Sequence, residues 1–112
     1  MLRNLRRTNV RCFTRFLTSL GKRIGNVVVH KILVKYTNKP ESIHYLESEV
    51  ETYRDNVLEI AQEYNWNEKD LIRIKKEALD KFTGDMANFY KDVNFPIEDV
   101  LKLIEETIKE VL

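Results

Sequence analysis

The chain has 112 residues, room for one small domain, and its 19 Lys/Arg nearly balance 18 Asp/Glu for a net charge of +1. One cysteine excludes an internal disulfide framework, and with only two histidines besides there is no Cys/His cluster at metal-ligand spacing. Three glycines and two prolines argue against a turn-rich β-architecture and against a glycine-built phosphate cradle.

The near-neutral total conceals a segregation. Residues 1–40 carry ten basic and no acidic residues, whereas residues 41–112 carry nine basic and eighteen acidic ones. Six of the eight arginines lie in the first 23 residues. On a helix, Arg3, Arg7, Arg11 and Arg15 form an i, i+4 stripe opposite Leu2, Leu5, Phe13, Phe16, Leu17 and Leu20. An acid-free, Arg-rich, amphipathic start bearing Ser and Thr is the signature of a mitochondrial transit peptide. Residues 1–25 are therefore expected to be such a leader, with those four arginines as its targeting residues and Cys12 travelling with it. The stretch Thr14 to Ser19 resembles the arginine-at-minus-two pattern of the mitochondrial processing peptidase, with a cut after Phe16, and a site nearer Arg23 is equally open. Two readings compete: a basic arm for nucleic acid, and an amphipathic helix on an anionic membrane surface. Separation into an apolar and a cationic face favours the leader.

Residues 26–40 read as a connector or short helix. The run Asn26 to Tyr36 is rich in β-branched residues, but no second β-rich run offers a strand to pair with, so a helix packing Val28, Ile32 and Tyr36 is favoured over an edge strand or a spacer. Its apolar core, Val27 to Val29, is interrupted by His30 and Lys31, too soon for a hydrocarbon span of about 20 residues. The mature protein is accordingly expected to be soluble or peripheral, and His30 to be a surface or packed side chain.

Residues 41–112 read as the helical body. The predicted fold is all-α: a small antiparallel three-helix arrangement over about 41–64, 67–91 and 95–112, preceded by the Arg-rich segment. Pro40 and Glu41 open the first helix, along which Ile43, Leu46, Val50, Tyr53, Val57, Ile60 and Tyr64 recur at alternating spacings of three and four, an a/d seam. Asn67 is a good N-cap for the second, with Trp66 placed to staple onto Leu71. Ile72, Leu79, Phe82, Met86, Phe89 and Val93 give this helix a heptad-like stripe, widened by Leu71, Ile74 and Ala78, and Gly84 marks a kink or early stop. Asn94 is the expected cap of the third, with Pro96 in its first turn and a stripe of Ile97, Val100, Leu101, Ile104, Ile108 and Val111.

No nucleophile–base pair, phosphate loop or metal motif appears, so no enzyme, no cofactor and no small-molecule substrate are expected. The expected role is that of a non-catalytic mitochondrial protein, in the matrix or on the matrix face of the inner membrane. It would act as an accessory subunit or assembly factor of a larger complex such as the respiratory chain or ATP synthase. Ile43, Leu46, Val50, Tyr53, Val57, Phe82, Met86 and Phe89 are the candidates for docking a protein partner, or a second copy in a homo-oligomer. The alternative is a small nucleic-acid-associated protein with a basic N-terminal arm and an acidic helical dimerisation body. It is disfavoured because the outer face of residues 47–63 is acidic and repels phosphates.

Overall fold

A computed structural model describes residues 10–61 and 65–112, with side chains from Phe13 onward. Arg3 and Arg7 of the targeting stripe, the side chains of Arg11 and Cys12, and Tyr64 of the seam lie outside the described residues. The described residues form four helices and no strand: α1 Val10–Tyr36, α2 Ile43–Ala61, α3 Glu68–Phe89 and α4 Ile97–Val111. The all-α class and the three body helices are as expected from the sequence. The remaining helix, α1, crosses the boundary drawn at residue 25 without a break.

α1 is the organiser of the bundle. It packs against each of the other three helices, with α2 and α3 lying on it rather than chiefly on each other, and with α4 touching both. At 27 residues it is about 40 Å long, most of the 48 Å long axis of the molecule. Leu17, Leu20, Ile24, Val27, Val28, Val29, Ile32 and Leu33 are all buried. Three consecutive buried valines mean that the helix is enclosed on all sides at that level, which is why a β-branched run is helical here: burial against three neighbours outweighs its strand propensity. Leu46 and Val57 of the expected α2 seam are buried, and at its end Ala61 is buried where the seam position Ile60 is half-buried.

The closest approach is between α1 and α3. A Cβ added to Gly21 would lie 2.5 Å from Glu77 Cβ and 2.9 Å from the Ile74 carbonyl oxygen, and one added to Gly25 would lie 2.7 Å from the Ala78 carbonyl oxygen. Two glycines four residues apart on one face thus let the α1 backbone settle onto that of α3, with Ala78 the small residue opposite. This contact sets the rotation of α3, and the result departs from the expected heptad stripe. Its buried line is Ile74, Ala78, Phe82 and Met86, at spacings of four, while Ile72 and Phe89 point outward.

The helix ends follow local chemistry. Asn67 closes a capping box with Asp70: the Asp70 amide donates to Asn67 Oδ1 at 2.8 Å and the Asn67 amide to Asp70 Oδ2 at 3.3 Å. Trp66 stacks on Phe16 of α1, ring centroids 6.1 Å apart. Pro40–Ser42 make one 3-10 turn before α2. The cap of α4 is Pro96, not Asn94: its extended backbone, φ −78° and ψ 139°, delivers the chain into the helix with no side-chain cap. Gly84 neither kinks nor stops α3, which continues to Phe89.

Charge ties α1 to α4. Lys31, its side chain only 12 % exposed, donates to Glu110 at 2.5 Å and to the buried Thr107 hydroxyl at 2.9 Å, and Arg54 of α2 reaches the same Glu110 at 3.4 Å. Near the other end of α4, Asp99 accepts from Lys35 Nζ at 2.8 Å and from the Tyr36 hydroxyl. Part of the charge segregation along the chain is thus resolved within the fold.

Three outcomes follow from this packing. Deleting residues 1–25 removes Leu17, Leu20 and Ile24, each contributing roughly 1.5–3 kcal/mol by burial, against a net stability of about 5–15 kcal/mol for a small domain. The remainder should lose its cooperative thermal transition by circular dichroism. Glycine to alanine should change sign with position: Gly21→Ala and Gly25→Ala destabilise by about 1–2 kcal/mol, overpacking exceeding the propensity gain. Gly84→Ala, where the added Cβ meets nothing within 4 Å beyond the local backbone of its own helix, stabilises by about 0.5–1 kcal/mol. The third concerns pH. The Lys35 hydrogen bond and then that of Tyr36 hold the Asp99 carboxyl below its usual pKa. Its contribution is therefore complete above the unfolded value of about 3.9 and is lost as pH falls through the lower folded one. Asp99→Asn should lower Tm at pH 7 and become indistinguishable from the parent at strongly acid pH.

Candidate functional site

The eight expected docking residues divide by burial. Leu46, Val57, Phe82 and Met86 are buried inside the chain's own core, Ile43, Val50 and Tyr53 are half-buried, and Phe89 is 72 % exposed. The seam that the sequence left open is filled by α1, an intramolecular partner. What remains outside shares only Phe89 with that set: Ile72, Phe89, Ile97 and Leu101 stand on α3 and α4 with about half or more of their surface exposed, as does Tyr45 on α2.

Two of these line a furrow between α3 and the antiparallel α4. In its first stretch Leu79 faces Leu101 and Ile104, with Lys75, Lys76, Lys102 and Glu105 at the rim. In its second, Thr83, Ala87 and Tyr90 face Ile97, and Phe95 closes over Phe82 edge-to-face with centroids 5.2 Å apart. α4 buries Val100, Ile104, Thr107, Ile108 and Val111, so Ile97 and Leu101 are the flank of an apolar stripe wider than the core can cover. The sequence shows that width but not which edge stays wet.

On the other side of the bundle, α1 floors a shallow groove of about 690 Å³. Arg15, Ser19, Lys22, Arg23 and Asn26 come from its exposed face, and Arg73 and Lys81 of α3 stand along one wall. Arg73 donates to Thr18 Oγ1 at 3.0 Å and Arg23 to Asn56 Oδ1 of α2 at 2.7 Å. Arg73 and Lys81 have same-helix acidic neighbours, Glu77 at 3.9 Å and Asp85 at 3.1 Å, but among the described residues no acidic side chain lines the groove itself. The expected targeting residue Arg15 is exposed here. Arg73 and Lys81 were not legible as members of this set: they lie about 50 residues away, and only the parallel packing of α3 on α1 brings them alongside.

A third cluster is polar and aromatic. His30 is half-buried, its ring 5.0 Å from that of Tyr53, and its Nδ1–H donates to the Asn26 carbonyl at 2.8 Å. Hydrogen bonds from the Tyr45 and Tyr53 hydroxyls hold the Glu49 carboxyl below its ordinary pKa, and the same contacts raise both phenols. These shifts run away from neutrality, opposite to those that prepare a carboxyl or a phenol for proton transfer at physiological pH. Among the described residues no three His, Cys, Asp or Glu side chains gather as metal ligands, and no helix is long and apolar enough to cross a membrane.

Compared with protein-family models, with curated proteins and with solved structures, the chain matches none of them.

Proposed function

We propose that this chain is a non-catalytic interaction protein that docks onto a larger assembly through the furrow between α3 and α4. The observation that carries this reading is the exposure of Ile97 at 54 % and Leu101 at 49 %, side by side on a helix whose other apolar residues are buried or, at Leu103, half-buried. Burying such side chains against a partner contributes about 25 cal/mol per Å² of apolar area, and the charged rim, where Lys75 pairs with Glu105 at 3.0 Å, frames that apolar strip. The setting we propose is mitochondrial, as an accessory subunit or assembly factor of a respiratory or ATP-synthesising complex. The acid-free arginine stripe of the N-terminus supports the location.

Packing constrains where a leader could end. A cut after Phe16 leaves Leu17 to Tyr36 in place, whereas one near Arg23 removes Leu17, Leu20 and the Gly21 contact. The endogenous protein from a mitochondrial fraction should therefore begin at or before Leu17 by N-terminal mass spectrometry. A start beyond Leu20, or recovery from another compartment alone, contradicts this reading. For docking, Ile97→Glu with Leu101→Glu should leave thermal stability within about 1 kcal/mol, since both side chains are solvent-facing. The variant should shift the protein from high-mass to low-mass fractions on a native gradient of organelle extract. Unchanged co-migration would rule out the furrow.

A further inference from the structure

The groove on α1 is a charge arrangement that folding creates and leaves open. Lys31 and Lys35, further along the same helix, find carboxylates on α4. Arg15 and Lys22 pair with no described acidic residue, although eighteen acidic residues are present in a chain of 112. Arg15 and Lys22 are therefore available to an outside anion, while the wall residues Arg73 and Lys81, each beside a carboxylate of its own helix, supply N–H donors along the edge.

We propose that this groove binds the phosphodiester backbone of single-stranded nucleic acid, without base specificity. Four features select that ligand. Residues 14–26 of α1 run about 18 Å, and the Arg15, Ser19, Lys22/Arg23 and Asn26 positions repeat one helical turn apart, a ladder along which successive phosphates of an extended strand can lie. Hydroxyl and amide donors from Thr18, Ser19 and Asn26 alternate with the cations, the mixture that takes phosphate and sugar oxygens. The groove is floored by α1 and walled by α3, and on its other flank Asn56 of α2, held by Arg23, stands beside the exposed Asp55 and Glu59. A broad anionic membrane would press on that acidic helix as well as on the groove, while a narrow strand can enter and avoid it. Finally, the close backbone approach at Gly21 and Gly25 fixes the spacing of the two basic helices, so the site is formed before the ligand arrives.

This binding is separate from the furrow between α3 and α4, and because it uses Arg15 it belongs to a chain that keeps the residues before Leu17. The test uses the full chain and a fluorescein-labelled 15-nucleotide oligo(dT) or oligo(U), read by anisotropy across a salt series. With three to five phosphates engaged, the slope of log affinity against log salt should be about −2 to −3.5. Arg15→Glu with Lys22→Glu, two exposed positions whose fold is checked by circular dichroism, should weaken binding at least tenfold. Lys39→Glu with Lys91→Glu, equal in charge change and away from the groove, should alter it less than threefold. Equal loss in the two variants, or loss only when Arg3, Arg6 and Arg7 are replaced, overturns the groove as the site. Tighter binding to phosphatidylglycerol vesicles or to poly-glutamate than to the oligonucleotide overturns nucleic acid as its occupant.

Discussion

The fold depends on the enclosure of α1. Its buried face is close to continuous from Leu17 to Leu33; α2 and α3 pack chiefly against it, and α4 divides its contacts among all three. Such an arrangement has no independent halves: α2 and α3, on either side of α1, would face one another across a void without it. The Gly21 and Gly25 contact then specifies which side of α1 meets α3, because only at those two positions can the backbones come so close. Hydrophobic burial supplies the magnitude, and the two missing β-carbons supply the register.

Charge is distributed around that apolar axis in a way that explains its own segregation. Where α1 passes the acidic α4, its lysines are matched by Asp99, Glu106 and Glu110. Where it passes between α2 and α3, its basic residues face solvent. One helix thus presents a neutralised end and an electropositive end. The exposed apolar edge of α4 lies elsewhere, beside α3, so the surface carries two chemically distinct regions on different sides of the bundle.

Some of this was legible in advance. Pro40, Asn67 and Pro96 punctuate the chain strongly enough that the helices of the body fall within a few residues of their expected limits. The capping box at Asn67 is purely local chemistry, and the inward turn of Leu46 and Val57 follows from their a/d spacing. Other features were hidden. Gly21 and Gly25 at an i, i+4 spacing were the available sign of a close helix crossing, but glycine count alone pointed only to an absence of turns. Basic composition drew a boundary at residue 25, and the aliphatic content of Leu17, Leu20 and Ile24 on the same helix was absorbed into the apolar face of a leader.

The sequence by itself determined the all-α class, the helix limits and the polarity of each face, since capping, proline geometry and periodicity act over a few residues. The tertiary structure alone decided which faces meet. Ala78 rather than Ile72 faces inward because α3 must approach glycine, and Arg73 and Lys81 stand beside Arg15 and Lys22 because two helices distant in the chain pack in parallel. Ile97 and Leu101 stay exposed because the core is already full. These choices arise from the competition of every apolar surface for one shared core, which is a property of the whole chain and of no local segment.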